Sequence, residues 1–284
     1  MYSETTFPNF PVPVDHSMEA LPMDCRLRQM YPDDLFPNGA YAALPYGRVR
    51  YWLMGPQDGI KVVLIHGLST PAITWKDIAP YLAERGFRLL VYDLYGKGYS
   101  EAPKVPSTTT LFITQLALLM QYVHWDSANI VGFSMGGGIC AAFCSTFPWL
   151  VGGKAAFVSA AGLLSHRSRC SAHKAHRRFR DLQTAELPGY VRSLNSCRKV
   201  GPLRALEPAY DKLAEVVVGA QKTKLAVLVV HGTADEVVPL EEADKIKRRV
   251  PQAEVVKVEG AMHDIVVSEG HWQQLAQALA RFLA

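Results

Sequence analysis

The sequence predicts an α/β fold, a doubly wound and mostly parallel sheet, and three observations carry that reading. From about Gly47 onward, short β-branched runs alternate with longer amphipathic ones. Val62-Val63-Leu64-Ile65 and residues 225–230 are apolar throughout, as strands are when helices cover both faces of their sheet. A glycine-rich turn at residues 132–138 joins an apolar strand directly to a helical pattern. With 284 residues, 49% hydrophobic and 20% charged, the chain can bury a sizeable core as one large domain or one domain with an insertion.

Taken in order, residues 1–46 hold seven prolines (Pro8, Pro11, Pro13, Pro22, Pro32, Pro37 and Pro45) among the 18 in the chain. Proline removes a backbone donor and fixes φ, so this stretch is expected to be an arm laid over the surface, without regular helix or central strand. The core is expected over 47–161 and 224–284. Its strand candidates are 48–54, 62–65, 88–92, 129–132, 155–159, 225–230 and 254–258, and its helix candidates are 75–85, 109–124, 135–147, 240–250 and 271–283. Residues 162–223 break the alternation, with helical patches and no strong strand. They read as a helical cap over the carboxyl ends of the strands, where such sheets bind ligands.

Composition excludes several classes. A net charge of +4 is too small to mark a nucleic-acid binder, and no apolar run approaches the roughly 18 residues of a membrane span. The five cysteines (Cys25, Cys140, Cys144, Cys170 and Cys197) lack CxxC spacing and read as reduced, buried thiols. With no secretory pattern at the N-terminus and no targeting tripeptide at the C-terminus, a cytoplasmic protein is the expectation.

The chemistry centres on Gly132-Phe133-Ser134-Met135-Gly136. A Gly-x-Ser-x-Gly sequence between strand and helix forces the serine into a strained turn that holds its Oγ clear at the sheet edge. The glycines let strand and helix pass closely. The plain alternative is a glycine-rich turn of the kind any α/β sheet contains. A nucleophilic serine needs a base and an orienting acid. His263, in Gly260-Ala261-Met262-His263-Asp264, follows the last strand candidate and is the expected base. His166, His173, His176, His231 and His271 lie in the cap, within a strand or within a helix. Asp235, in the loop 232–239, is the expected acid ahead of Glu236, adjacent but expected to point away, and Asp264, poorly placed to reach Nδ1. The plain alternative for Asp235 is a helix cap. The amides of Leu68, in His66-Gly67-Leu68-Ser69, and of Met135 are expected to form an oxyanion hole. Phe133, Gly67 and Ser69, which flank them, are expected to touch substrate. His66 is expected to brace its loop by a hydrogen bond.

These segments, with Asp93-Leu94-Tyr95-Gly96-Lys97-Gly98-Tyr99-Ser100, resemble the α/β-hydrolase superfamily from Gly47 to Ala284, and within it the small capped esterases and monoacylglycerol-lipase-like enzymes. The resemblance implies an eight-stranded, mostly parallel sheet, no metal and no cofactor. It also implies a carboxylic-ester hydrolase, because a serine alkoxide suits acyl transfer. Thioester or amide cleavage, C–C hydrolysis, acyl transfer to an alcohol, and a low-turnover receptor or scaffold on the same fold stay open. The short basic cap and the Pro-rich arm depart from the minimal pattern.

Within the cap, Arg167, Arg169, Lys174, Arg177, Arg178 and Arg180 form a run without an acid. It reads first as a solvated helix face and second as a patch for anionic substrates or a membrane surface. Cys170, His173 and His176 share a spacing that a metal could use, but the surrounding cations oppose it. The apolar cap residues Leu163, Leu164, Phe179, Leu182, Leu187, Tyr190 and Leu194 need burial. Some are expected to line a pocket for an apolar acyl group on a small-molecule ester.

Overall fold

The computed structural model describes residues 11–165, 177–219 and 222–284. Eight strands form one sheet: β1 (Gly39–Leu44), β2 (Gly47–Met54), β3 (Ile60–Ile65), β4 (Phe87–Tyr92), β5 (Ala128–Phe133), β6 (Val151–Val158), β7 (Ala226–Gly232) and β8 (Glu254–Val258). Their order is β1-β2-β4-β3-β5-β6-β7-β8. β2 pairs antiparallel with β1 and β4, and every other neighbour pairs parallel. The chain therefore starts at one edge, passes to β3, returns to place β4 between β2 and β3, and then steps outward from β5 to β8.

Alternate side chains of β3 feed two separate cores. Val63 and Ile65 pack on the face covered by α3 (Thr109–Tyr122), α4 (Met135–Thr146) and α8 (Glu241–Arg249). Val62 and Leu64 pack on the face covered by α2 (Ile78–Ala83) and α9 (His271–Leu283). This two-sided burial is why the central strands read as unbroken apolar runs. The helix expected over 75–85 is shorter, a 3₁₀ turn at Ala72–Trp75 followed by α2. Pro80 sits in the first turn of α2, where its missing N–H breaks no intrahelical bond. Among the described residues no helix is long and apolar enough to cross a membrane. Cys25, Cys140, Cys144 and Cys197 are free thiols, and Cys170 lies outside the described residues.

Two expectations about the first 46 residues need correction. The edge strand β1 lies inside the supposed arm, so the sheet begins at Gly39 rather than Gly47. Pro37 and Pro45 bracket this strand without entering it, and an edge position needs only one side of its backbone paired. The rest of the arm does more than lie on the surface. Met18, Leu27 and Tyr31 are fully buried, and the Tyr31 hydroxyl donates to Asp93 at 3.0 Å. Val14–Asp15 pairs antiparallel with Ala102–Pro103, while a short helix, α1 (Arg26–Met30), carries Leu27 inward. Proline breaks regular structure only where it stands, so the stretches between prolines form short strands and a short helix and bury their aromatic and aliphatic side chains.

Between β6 and β7 run α5 (Arg177–Glu186), α6 (Tyr190–Val200) and α7 (Glu207–Leu213). α7 packs on α4, with the Tyr210 hydroxyl donating to the Ala161 carbonyl at 2.9 Å. α5 and α6 reach the loop after β3, where Gln183 Nε2 (2.9 Å) and the Tyr190 hydroxyl (3.1 Å) both donate to the Ser69 carbonyl. α6 is also tied to the arm, since Arg192 pairs with Asp15 at 2.5 Å and donates to the Pro103 carbonyl at 2.7 Å.

Candidate active site

The turn from β5 into α4 holds Ser134 at φ 55° and ψ −119°, a conformation that strains any residue with a Cβ. Backbone bonds fix it there. Ser134 N–H donates to Val158 O, and Ser134 O accepts from Gly137 N and Ala161 N, each at 2.9 Å. The neighbouring glycines are required by proximity, because a Cβ on Gly132 would strike the Gly136 carbonyl and one on Gly136 the Ile65 carbonyl.

Ser134, His263 and Asp235 converge from three different loops. Ser134 Oγ is 2.9 Å from His263 Nε2, and His263 Nδ1 is 2.8 Å from Asp235 Oδ2. Asp235 is held in turn by the Val237 and Val238 amides, both donating to Oδ1 at 2.9 Å. Burial raises the Asp235 pKa, but the hydrogen bond and charge of His263, the Val238 amide and nearby His231 outweigh it and hold it below the ordinary carboxylate value. An ionised carboxylate at Nδ1 puts the imidazole proton on that nitrogen and leaves Nε2 with a lone pair facing the serine hydroxyl. Phe133 lies beside the imidazole with ring centroids 5.1 Å apart.

Glu236 is exposed, and Asp264 lines the cavity without bonding Nδ1. His231 is buried with Nε2 at 2.8 Å from the Val238 carbonyl and 3.6 Å from Asp235 Oδ2, so it backs the acid and stands away from the serine. His66 joins two loops, with Nδ1 at 2.8 Å from Gly67 O and Nε2 accepting from Leu94 N at 2.9 Å. That pattern requires a neutral ring, and burial lowers its pKa to about 3.

Ser134 and His263 open into a cavity of about 420 Å³, within the range of small-molecule sites. Gly67, Leu68, Ser69 and Phe133 line it. Gly67 lies so near the elbow that an added Cβ would stand 3.2 Å from Ser134 Cβ. The Met135 side chain is fully buried, so only its amide is placed to act. Among the described residues neither the Leu68 nor the Met135 amide donates a hydrogen bond within the protein.

The cap supplies both apolar and basic residues to this cavity. Of its apolar residues only Tyr190 and Leu194 reach the cavity, whereas Phe179 packs against Tyr31 with centroids 6.3 Å apart, and Leu163 and Leu164 belong to the main core. Of the basic run, Arg177 and Arg180 line the cavity, so they are no plain solvated face. Arg167, Arg169, Lys174, Cys170, His173 and His176 lie outside the described residues. Among the described residues no group of three His, Cys, Asp or Glu side chains is arranged to hold a metal ion. Sequence reasoning missed Arg198, Asp181 and Thr184 on the lining, and a helical-face reading would have found them. Arg177, Arg180, Asp181 and Thr184 follow i, i+3, i+4, i+7 on α5, and Tyr190, Leu194 and Arg198 follow i, i+4, i+8 on α6.

Comparison with known proteins agrees with this architecture. The alpha/beta hydrolase fold family matches residues 61–194, and the TAP-like protein family matches residues 192–284. A serine hydrolase-like protein of Dictyostelium discoideum is 33% identical over 132 residues, 43% of this chain and 36% of that protein, so the match spans about a third of the relative's length. A non-heme chloroperoxidase of Streptomyces lividans is 24% identical over 243 residues, covering 75% of this chain and 88% of its own. Carboxylesterase CesB from Bacillus subtilis superposes with a TM-score of 0.74 at 18% identity, covering 91% of this chain and 97% of that one. At that identity the structural likeness speaks for the fold. With the two family matches running from residue 61 to residue 284 over this strand order, the chain belongs to the alpha/beta-hydrolase superfamily.

Proposed function

We propose that this protein is a serine hydrolase cleaving carboxylic esters through an acyl-enzyme, with Ser134 as nucleophile, His263 as general base and acid, and Asp235 as the group orienting the imidazole. The observation that carries this reading is the unbroken hydrogen-bonded line Asp235–His263–Ser134, at 2.8 and 2.9 Å, ending at the floor of a cavity. A pure ligand-holding scaffold has no need of a basic nitrogen aimed at a strained serine, so the same observation favours turnover.

In the first half-reaction Ser134 Oγ bonds to the ester carbonyl carbon while its proton passes to His263 Nε2. Asp235 stabilises the imidazolium so formed. The carbonyl oxygen becomes an oxyanion, for which the Leu68 and Met135 amides are the candidate donors. Collapse breaks the bond to the leaving alkoxide, which takes the proton from Nε2. A water then attacks the acyl-enzyme, giving its proton to Nε2, and collapse releases the acid and returns that proton to Ser134. Leu68, Leu194, Val237 and Val266 on the lining support an apolar acyl group, at about 0.8 kcal/mol per buried CH₂.

The test is hydrolysis of p-nitrophenyl esters of rising chain length by wild type and Ser134→Ala. Wild type is expected to turn them over, with kcat/KM rising from acetyl to longer acyl groups. The alanine variant is expected to fold normally and lose roughly 10⁴–10⁶-fold in kcat. Retention of more than a few per cent of activity in that variant removes Ser134 from the nucleophile's role.

A further inference from the structure

We infer that the cavity selects esters carrying a second, anionic group, a carboxylate or a phosphate, gripped by Arg180 and Arg198 of the cap. The inference rests on the ester-hydrolase reading above and adds the charge of the substrate to it.

Three arginines, Arg177, Arg180 and Arg198, line the same cavity as Ser134 and His263, against two carboxylates, Asp181 and Asp264. They come from two separate helices, α5 and α6, so no single charged stretch explains their meeting. Arg180 is partly buried. Its burial holds its guanidinium below the ordinary arginine value; Tyr190 and Asp181 offset part of that effect, and the charges of Arg177 and Arg198 add to it, so the three cations repel one another. The fully buried Lys97 has Nζ 5.2 Å from the Tyr190 ring and 3.0 Å from Ser193 Oγ, and burial holds it below the ordinary lysine value.

These cations contrast with their neighbours. Arg192, on the same helix as Arg198, is held by Asp15 and by the Pro103 and Ala102 carbonyls. Among the described residues no carboxylate lies within ion-pair distance of Arg177, Arg180 or Arg198. Arg177 and Arg198 are exposed beside the partly buried Arg180, and gathering like charges on one cavity lining is unfavourable unless an anion joins them. Guanidinium forks match carboxylate and phosphate oxygens in pairs, which gives both strength and orientation. The arginines stand on the cap and the nucleophile on the sheet. The matching ligand therefore has its scissile carbonyl at Ser134 and its anion some atoms away. A cavity of about 420 Å³ suits a small molecule of that kind.

The experiment compares three p-nitrophenyl esters of similar reach on the full chain: the pentanoate (neutral), the glutarate monoester (carboxylate) and the 4-phosphonobutanoate (phosphonate). Wild type is expected to prefer one anionic ester over the pentanoate, and which one identifies the source of the anion. Arg180→Gln/Arg198→Gln is expected to lower the anionic-to-neutral ratio of kcat/KM by about tenfold or more. Arg198→Gln alone, at an exposed position, is expected to lower it in the same direction and guards against misfolding of the double variant. An unchanged ratio in both variants, or a wild type that prefers the neutral ester, overturns the inference while leaving ester hydrolysis standing. Failure of all three esters overturns the hydrolase reading instead. Calorimetric titration with glutarate and with inorganic phosphate then decides the anion site. Binding of either that is lost in the double variant sustains it, and no binding to wild type ends it.

Discussion

Replacing Asp235 by asparagine is expected to cut kcat by about 10⁴-fold, and the geometry gives the reason. Asp235 Oδ1 accepts two amide protons, from Val237 and Val238, while Oδ2 faces His263 Nδ1. An asparagine must keep its carbonyl oxygen toward the two amides. Turning its NH₂ toward them would break both bonds and set donor against donor, at about 1–3 kcal/mol for each orphaned group. The NH₂ therefore faces Nδ1 and donates to it, which moves the ring proton to Nε2. In that tautomer Nε2 has no lone pair for the Ser134 proton. At about 1.4 kcal/mol per factor of ten, the loss corresponds to roughly 5–6 kcal/mol of transition-state stabilisation. Initial rates on a p-nitrophenyl ester at saturating substrate measure it, with Glu236→Gln and Asp264→Asn as controls expected to lose far less. An Asp264→Asn variant more damaged than Asp235→Asn would refute the reasoning, as would an Asp235→Asn variant within a few-fold of wild type.

Two further outcomes follow from the packing and the buried titratable groups. Phe179→Ala removes a 2%-exposed ring wedged against Tyr31 and is expected to destabilise the fold by about 3 kcal/mol in urea unfolding, where a loss under about 1 kcal/mol would contradict the packing described. His66→Asn is expected to be most damaging near pH 7. The folded His66 value of about 3 lies below the ordinary 6.5, so its contribution is full above 6.5 and is lost as the pH falls towards 3. The stability difference between wild type and variant should therefore shrink below pH 6.5, by at most about 1.4 kcal/mol per pH unit. Asp93, which burial pushes up to about 7, acts in the opposite direction over an overlapping range, and taking the difference between the two proteins removes it. An equal difference at pH 5 and pH 7 would show that His66 is not held neutral.

The elbow was legible because local sequence alone determines it. A strained turn between strand and helix demands glycines where backbones nearly touch, and Gly132 and Gly136 stand at those contacts. The last strand and helix were readable to the residue, since β8 and α9 each carry a single periodic pattern. β1 was hidden by its flanking prolines, which break structure only where they stand. The role of Tyr31 was out of reach, because nothing in its neighbourhood announces a bond to Asp93, 62 positions further along the chain. In the cap the information lies in the helical phase of the cations and not in their number. Arg178 does not line the cavity, whereas Arg177 and Arg180 do, and Arg198 enters from another helix altogether. The acid was narrowed to Asp235 by its loop, but the two valine amides that aim it are backbone groups with no signature in residue type.

The most direct measurement is covalent labelling of the intact protein with a fluorophosphonate, followed by peptide mass spectrometry. Such a probe reacts with a serine whose hydroxyl is activated by an adjacent base, and Ser134 Oγ stands 2.9 Å from His263 Nε2. The expected result is one phosphonylated peptide, containing Ser134, with labelling abolished in Ser134→Ala and strongly slowed in His263→Ala. A protein that stays unlabelled, or one labelled at a different serine, would contradict the assignment of Ser134, His263 and Asp235 as a working catalytic set.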